Sequence, residues 1–107
     1  MNATRKVSHA QEILTTLHDP TDIDRFTSAR DFLTQHLIHK REILNGRDFI
    51  FSGPCEEIHS ALKNLIEIEH KAGRFLEFDF AKIDEIFLLR VVGEECHQDI
   101  IDTYFEP

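Results

Sequence analysis

Apolar residues recur along this chain with two different spacings, and the change from one to the other marks its central unit. From Pro54 to Ala72 the positions Ile58, Ala61, Leu62, Leu65, Ile68 and Ala72 fall three and four apart, on one face of a helix. Pro54 suits the first helical position and Gly53 the cap, Glu56 and Glu57 sit at the positive end of the helix dipole, and Gly73 supplies the stop. Four large aliphatics at roughly 2 kcal/mol each make that face worth about 8 kcal/mol when buried. The helix must therefore pack against something.

Before it, Phe49-Ile50-Phe51 followed by Ser52-Gly53-Pro54 predicts a short buried strand that ends in a turn. After Gly73 the spacing falls to two: Leu76, Phe78 and Phe80 point one way, Phe75, Glu77 and Asp79 the other. A second run, Glu85 to Val92, follows Ala81-Lys82-Ile83-Asp84 and completes an antiparallel hairpin. The strand before the helix should join the first hairpin strand by a right-handed parallel crossover. A last helix is expected from Glu94 to Phe105, with Ile100, Ile101, Tyr104 and Phe105 as its apolar positions. Residues 47–107 thus read as a β-α-β-β-α core.

Residues 1–46 read as a helical hairpin. Val7, Ala10, Ile13, Leu14 and Leu17 give a first stripe ending before Asp19-Pro20. Asp19 or Thr21 caps a second helix of over twenty residues, with stripe Phe26, Ala29, Leu33, Leu37 and Leu44 and with Asn45-Gly46 as its stop. The expected fold is α+β in the order α-α-β-α-β-β-α, an N-terminal αα-hairpin packed on a small three-stranded mixed sheet, all in one domain over residues 1–107.

Composition adds a charge asymmetry. The net charge of −8 is confined to the second half: residues 1–52 hold seven basic and seven acidic side chains, residues 53–107 five basic against thirteen acidic. Such a field repels phosphate backbones and anionic lipid, so neither nucleic acid nor membrane is an expected partner; a basic protein surface is. No stretch approaches the ~18 apolar residues of a membrane span, and the first twenty residues lack a signal-peptide core, which gives a cytoplasmic expectation. Cys55 and Cys96 are far apart and outside any C-x-x-C pair, so reduced thiols are expected, with no cofactor signalled.

Candidate chemistry is sparse. Three Glu-x-x-His pairs occur, Glu56/His59, Glu67/His70 and Glu94/His97. The spacing suits metal ligation, but Glu56, His59, Lys63, Glu67 and His70 lie opposite the apolar face of the central helix, which leaves at most a weak surface site and no metal expected. Cys55, near a helix N-terminus, has the setting of a reactive thiol, opposed by the adjacent Glu56 and Glu57. His36, within the apolar stripe of the second helix, and His97, beside Ile100 and Tyr104, are the other candidates for a ligand pocket between helical hairpin and sheet. Glu69 falls near the apolar face of the central helix, and its place in the last turn predicts that it reaches out to solvent. The function expected is non-enzymatic: protein-protein contact, as a homodimer, through the acidic hairpin and last helix, with Glu77, Asp79, Asp84, Glu85, Glu94, Glu95, Asp99 and Asp102 as contact charges. The rival is a small-molecule-binding domain or small enzyme using Cys55, His36 or His97.

Overall fold

The computed structural model describes residues 17–73 and 76–106. The expected first helix lies, apart from Leu17, outside them. The described chain is α+β: helix α1 (Pro20–His36), strands β1 (Leu37–Ile43) and β2 (Gly46–Ser52), helix α2 (Cys55–Ala72), strands β3 (Leu76–Ile83) and β4 (Ile86–Gly93), a 3-10 turn over Glu95–His97 and the short helix α3 (Gln98–Asp102).

Asp19 caps α1 as its residue type predicts, its carboxylate accepting from the Thr21 amide at 2.8 Å, with Pro20 in the first turn. The helix stops at His36 rather than at Leu44. Residues 37–43, expected to continue it, form the edge strand β1, paired antiparallel with β2. The expected helical stripe runs through Leu37 and Leu44 across a stretch, Ile38 to Glu42, whose side chains are all exposed. A stretch with no face to bury gains nothing from a helical stripe and takes the partner that satisfies its backbone. Asn45-Gly46, read as a helix stop, instead falls at the β1–β2 hairpin: Leu44 and Asn45 form its turn, with Asn45 left-handed at φ 64, and Gly46 opens β2 opposite Ile43. Glycine is obligatory at 46, because a β-carbon there would lie 2.0 Å from the Val91 carbonyl oxygen.

The sheet has four strands in the order β1-β2-β4-β3, all neighbours antiparallel, in place of the three-stranded mixed sheet expected. β2 and β3 do run in the same direction, but β4 lies between them, so the direct parallel pair is replaced by a hairpin folded back into the middle. The sequence supplies the reason. β4 is apolar on both sides, with Phe87, Leu89 and Val91 on one and Ile86, Leu88 and Val92 on the other, whereas β3 carries Glu77, Asp79 and Lys82 and tolerates an edge.

Phe49 and Phe51 of β2, Phe87, Leu89 and Val91 of β4 and Leu76 of β3 meet Phe26, Ala29 and Leu33 of α1 and Ile58, Leu62, Leu65 and Ile68 of α2 in one core cluster. Pro54 is the cap of α2 and Cys55 its first residue, one position later than expected. The last helix is much shorter than the Glu94–Phe105 prediction. Gln98 ties its start down by donating to the carbonyls of Asn45, Gly93 and Glu94, and Tyr104 and Phe105 then leave helical geometry to enter the core. Phe105 meets Phe49 and Phe51 edge-on at 5.0 and 5.3 Å.

Candidate interaction surface

All the described helices lie on one face of the sheet. Burial alternates accordingly along β2 and β4, and the register defines what stands on the other face. Across the strands in the order β1, β2, β4, β3, its rows are Ile43, Gly46, Val92, Glu77; then Arg41, Asp48, Arg90, Asp79; then His39, Ile50, Leu88, Ala81. Beyond them Ser52, Ile86 and Ile83 close the face. Among the described residues no second layer covers it. Ile50, Ile86, Leu88 and Val92 are half-buried, and Ile83 remains 48% exposed.

Asp48 is the centre of this face and was not singled out in the sequence. It is fully buried, although it lies on the uncovered side, because two guanidinium groups roof it. Arg90 donates from Nε to Oδ1 at 2.8 Å and from Nη2 to Oδ2 at 2.9 Å, and Arg41 donates from Nη2 to Oδ2 at 2.8 Å. The Arg90 pair holds the Asp48 carboxyl below the usual carboxylate range, against the opposing effect of burial, with Arg41 adding to it. Asp48 in turn keeps Arg90 protonated, and the charge of Asp79 on the far strand contributes. Asp48 and Arg90 stand next to the core residues Phe49, Leu89 and Val91 on their strands, a signal that their side chains belong to the opposite face, whereas Arg41 has only exposed neighbours. Their mutual contact depends on a register that periodicity does not supply.

The expected acidic contact residues divide into groups. Glu77, Glu94 and Glu95 gather at the Gly93 end of the hairpin around Leu44, Asn45 and Val92, where they line a shallow depression of about 660 Å³. Asp84 and Glu85 form the opposite turn, with Asp84 left-handed at φ 54. Asp79 belongs to the charged row. Asp99 is exposed on α3, but Asp102 is engaged, its Oδ1 taking 3.0 and 2.9 Å contacts from Arg47 and a 3.5 Å contact from Lys40.

The candidates for ligand chemistry stand apart. Cys55 is exposed and, with His59, Phe80 and Phe87, lines a groove of about 630 Å³ between α2 and β3. His36 ends α1 with its Nδ1 2.9 Å from the Phe32 carbonyl and its ring 4.3 Å from that of Phe32, over Gly53. His97 lies beside Gly93 at the other end of β4. On the solvent side of α2, His59 and His70 lean on Phe80 and Phe78 at 5.5 and 6.5 Å, Glu67 accepts from Arg25 at 3.0 Å, and Glu56 is exposed in the groove. Among the described residues no group of three or more His, Cys, Asp or Glu side chains is placed to hold a metal ion.

Glu69 departs from expectation. It is buried rather than turned to solvent, and its carboxylate accepts a hydrogen bond from the Tyr104 hydroxyl, which is itself in the core. Burial first, then the neighbouring Glu69 charge, pushes the Tyr104 phenol well above its usual range. Tyr104 is 35 residues away in the chain, so helix periodicity could place Glu69 near the apolar face without revealing the donor that keeps it there. Asp22, also buried, is held by Lys71 at 2.5 Å, which locks α1 to α2. No described helix is long and apolar enough to cross a membrane. Compared with known proteins, the chain matches no family model, no curated protein and no solved structure.

Proposed function

We propose that this protein acts by contact with other proteins, as a homodimer whose acidic end engages a basic surface. The observation that carries this reading is the depression at the Gly93 end of the sheet. Leu44, 87% exposed, stands there with Glu77, Glu94 and Glu95 around it. An apolar anchor rimmed by carboxylates suits a partner that offers an apolar contact within a ring of lysines or arginines. The opposing basic residues of the first half are largely spent inside the molecule: Arg30 and Lys40 hold the chain around Tyr104 and Glu106, Arg47 holds Asp102, and Arg41 holds Asp48. Among the described residues the acidic end is therefore left without an internal counterweight of similar size, and its field reaches an approaching partner.

The test is native mass spectrometry of the protein isolated at low salt from its own cells, followed by association kinetics with the polypeptide found in fixed ratio. A basic partner should associate about tenfold more slowly with the double variant Glu77→Lys/Glu94→Lys, and the rate should lose most of its salt dependence. A partner whose rate is unchanged by these reversals refutes the reading. The groove lined by Cys55 and His59 supports the rival, a small-molecule site; a bare homodimer carrying a small extra mass would favour it.

A further inference from the structure

We propose that the face of the sheet left open by the described residues is the interface with a second copy of this chain, packed face to face about a two-fold axis that runs along the strands between β2 and β4. It rests on reading the protein as a dimeric interaction module and adds where the copies meet. The charged row has the symmetry that such an axis requires. Across the strands the row reads Arg41, Asp48, Arg90, Asp79, that is positive, negative, positive, negative. A two-fold axis along the strands reverses the order in the second copy, so Arg41 faces Asp79 of the second copy on both sides of the axis, while Asp48 stays beneath its own Arg41 and Arg90. An axis across the strands that ran along the charged row would set each of its charges against its own twin, an arrangement that like-charge repulsion disfavours.

The apolar rows obey the same operator. Ile50 meets Leu88 of the second copy on both sides of the axis, His39 meets Ala81, and Ile86 meets Ser52. The centre of the interface is then aliphatic, and in the charged row beside it Asp48 is already desolvated and paired within its own chain. Edge-to-edge pairing is the poorer route to a dimer. β1 presents His39, Lys40, Arg41 and Glu42 along one edge and β3 presents Glu77, Asp79 and Lys82 along the other, charges of the kind that blunt strand edges.

Size agrees with this assignment. Four strands ~4.8 Å apart and about seven residues at ~3.3 Å each outline a face of roughly 19 by 23 Å. Two such faces bury on the order of 1,000 Å² once side-chain relief is included, the lower end for a specific interface, so the dimer dissociates on dilution. The axis also keeps the strand direction of both copies the same, which places both Leu44 depressions at one end of the dimer and offers a basic partner two acidic sites side by side.

Sedimentation equilibrium on the full chain tests this. The wild type should pass from monomer to dimer between about 1 and 100 µM. Asp79→Arg and Arg41→Glu should each weaken the dimer at least tenfold on their own, and an equimolar mixture should recover wild-type affinity, because the new arginine of one chain then faces the new glutamate of the other. Thermal melts followed by circular dichroism establish that each variant folds. Should Arg41→Glu unfold through its link to Asp48, Asp79→Arg and Ala81→Lys decide, since both positions are exposed and Ala81 supports no core packing. A wild type that stays monomeric, whether this face is covered by the chain's own first sixteen residues or by a different protein, overturns the proposal. A dimer indifferent to Asp79→Arg and Ala81→Lys, or two folded variants whose mixture fails to associate, overturns it too. A monomer that still binds its basic partner with strong salt dependence would leave the acidic-end reading standing, whereas a dimer that ignores basic partners would do the reverse.

Discussion

Asp48→Asn is the most informative single change, because it keeps the shape of a fully buried side chain and removes only its charge. In the native protein the carboxylate accepts three charge-assisted hydrogen bonds, two from Arg90 and one from Arg41. At roughly 1.5 kcal/mol each these would total over 4 kcal/mol, but both guanidinium groups are about half exposed and can return to water, which discounts the loss by about half. The expected cost is about 2 kcal/mol at pH 7, or a fall in Tm of about 10 °C for a chain of this size. Acid should erase the difference. The carboxyl is depressed in the folded state, so its contribution is fully present above the ordinary unfolded value, near pH 4, and disappears as pH falls through the folded value. Urea melts of both proteins at pH 7 and at successively lower pH, down to about 2, measure this. A variant within about 0.5 kcal/mol of wild type at pH 7 would refute the roofed-carboxylate account, as would a gap that persists unchanged at the lowest pH.

Three further outcomes are expected. Gly46→Ala should fail to fold or lose more than about 3 kcal/mol, because its β-carbon would press on the Val91 backbone and part β2 from β4; soluble yield and a urea melt check it. The single tyrosine, followed by absorbance at 295 nm, should not ionise near pH 10 but only at higher pH or on unfolding, and because its folded value is raised, the associated stability is present below about pH 10 and lost as pH rises beyond it; ionisation near pH 10 in the folded state would count against a buried Tyr104. Leu65→Ala, at a fully buried position of α2, should cost about 3 kcal/mol in the same melts, and a loss under 1 kcal/mol would mean that this face of the helix is not core.

The parts of the fold legible in the sequence are those where one period acts alone. The apolar face of α2 shows helical spacing throughout, and β3 shows a period of two, so the helix and the antiparallel hairpin stand as expected, except that Ala81 to Ile83, expected in the link, extend β3 and the turn is Asp84-Glu85. β1 was invisible for the opposite reason. Its buried side is supplied by a neighbour's backbone rather than by its own side chains, and with Ile38 to Glu42 all exposed, a chance helical spacing through Leu33, Leu37 and Leu44 had nothing to contradict it. The sheet order was recoverable in principle, since a strand apolar on both sides belongs in the middle. Of the surface chemistry, the acidic end was legible as net charge alone. The Asp48 row was not, because Arg90 is 42 residues from Asp48 in the chain and only the pairing of β2 with β4 brings them together.

The segment around Tyr104 and Phe105 bears on how the chain reaches this state. Its aromatics fill the space over Phe49 and Phe51, its Tyr104 hydroxyl serves a carboxylate buried on α2, and its backbone is held by Arg30, 74 residues earlier. None of these contacts can form while the ribosome still covers that segment. A nascent chain carrying α1, α2 and the whole sheet would still lack the aromatic cover over Phe49 and Phe51 and the phenol donor to Glu69, so this side of the core closes only after the segment emerges, and a chain stalled or clipped before it would present the cell with an adhesive half-closed sheet.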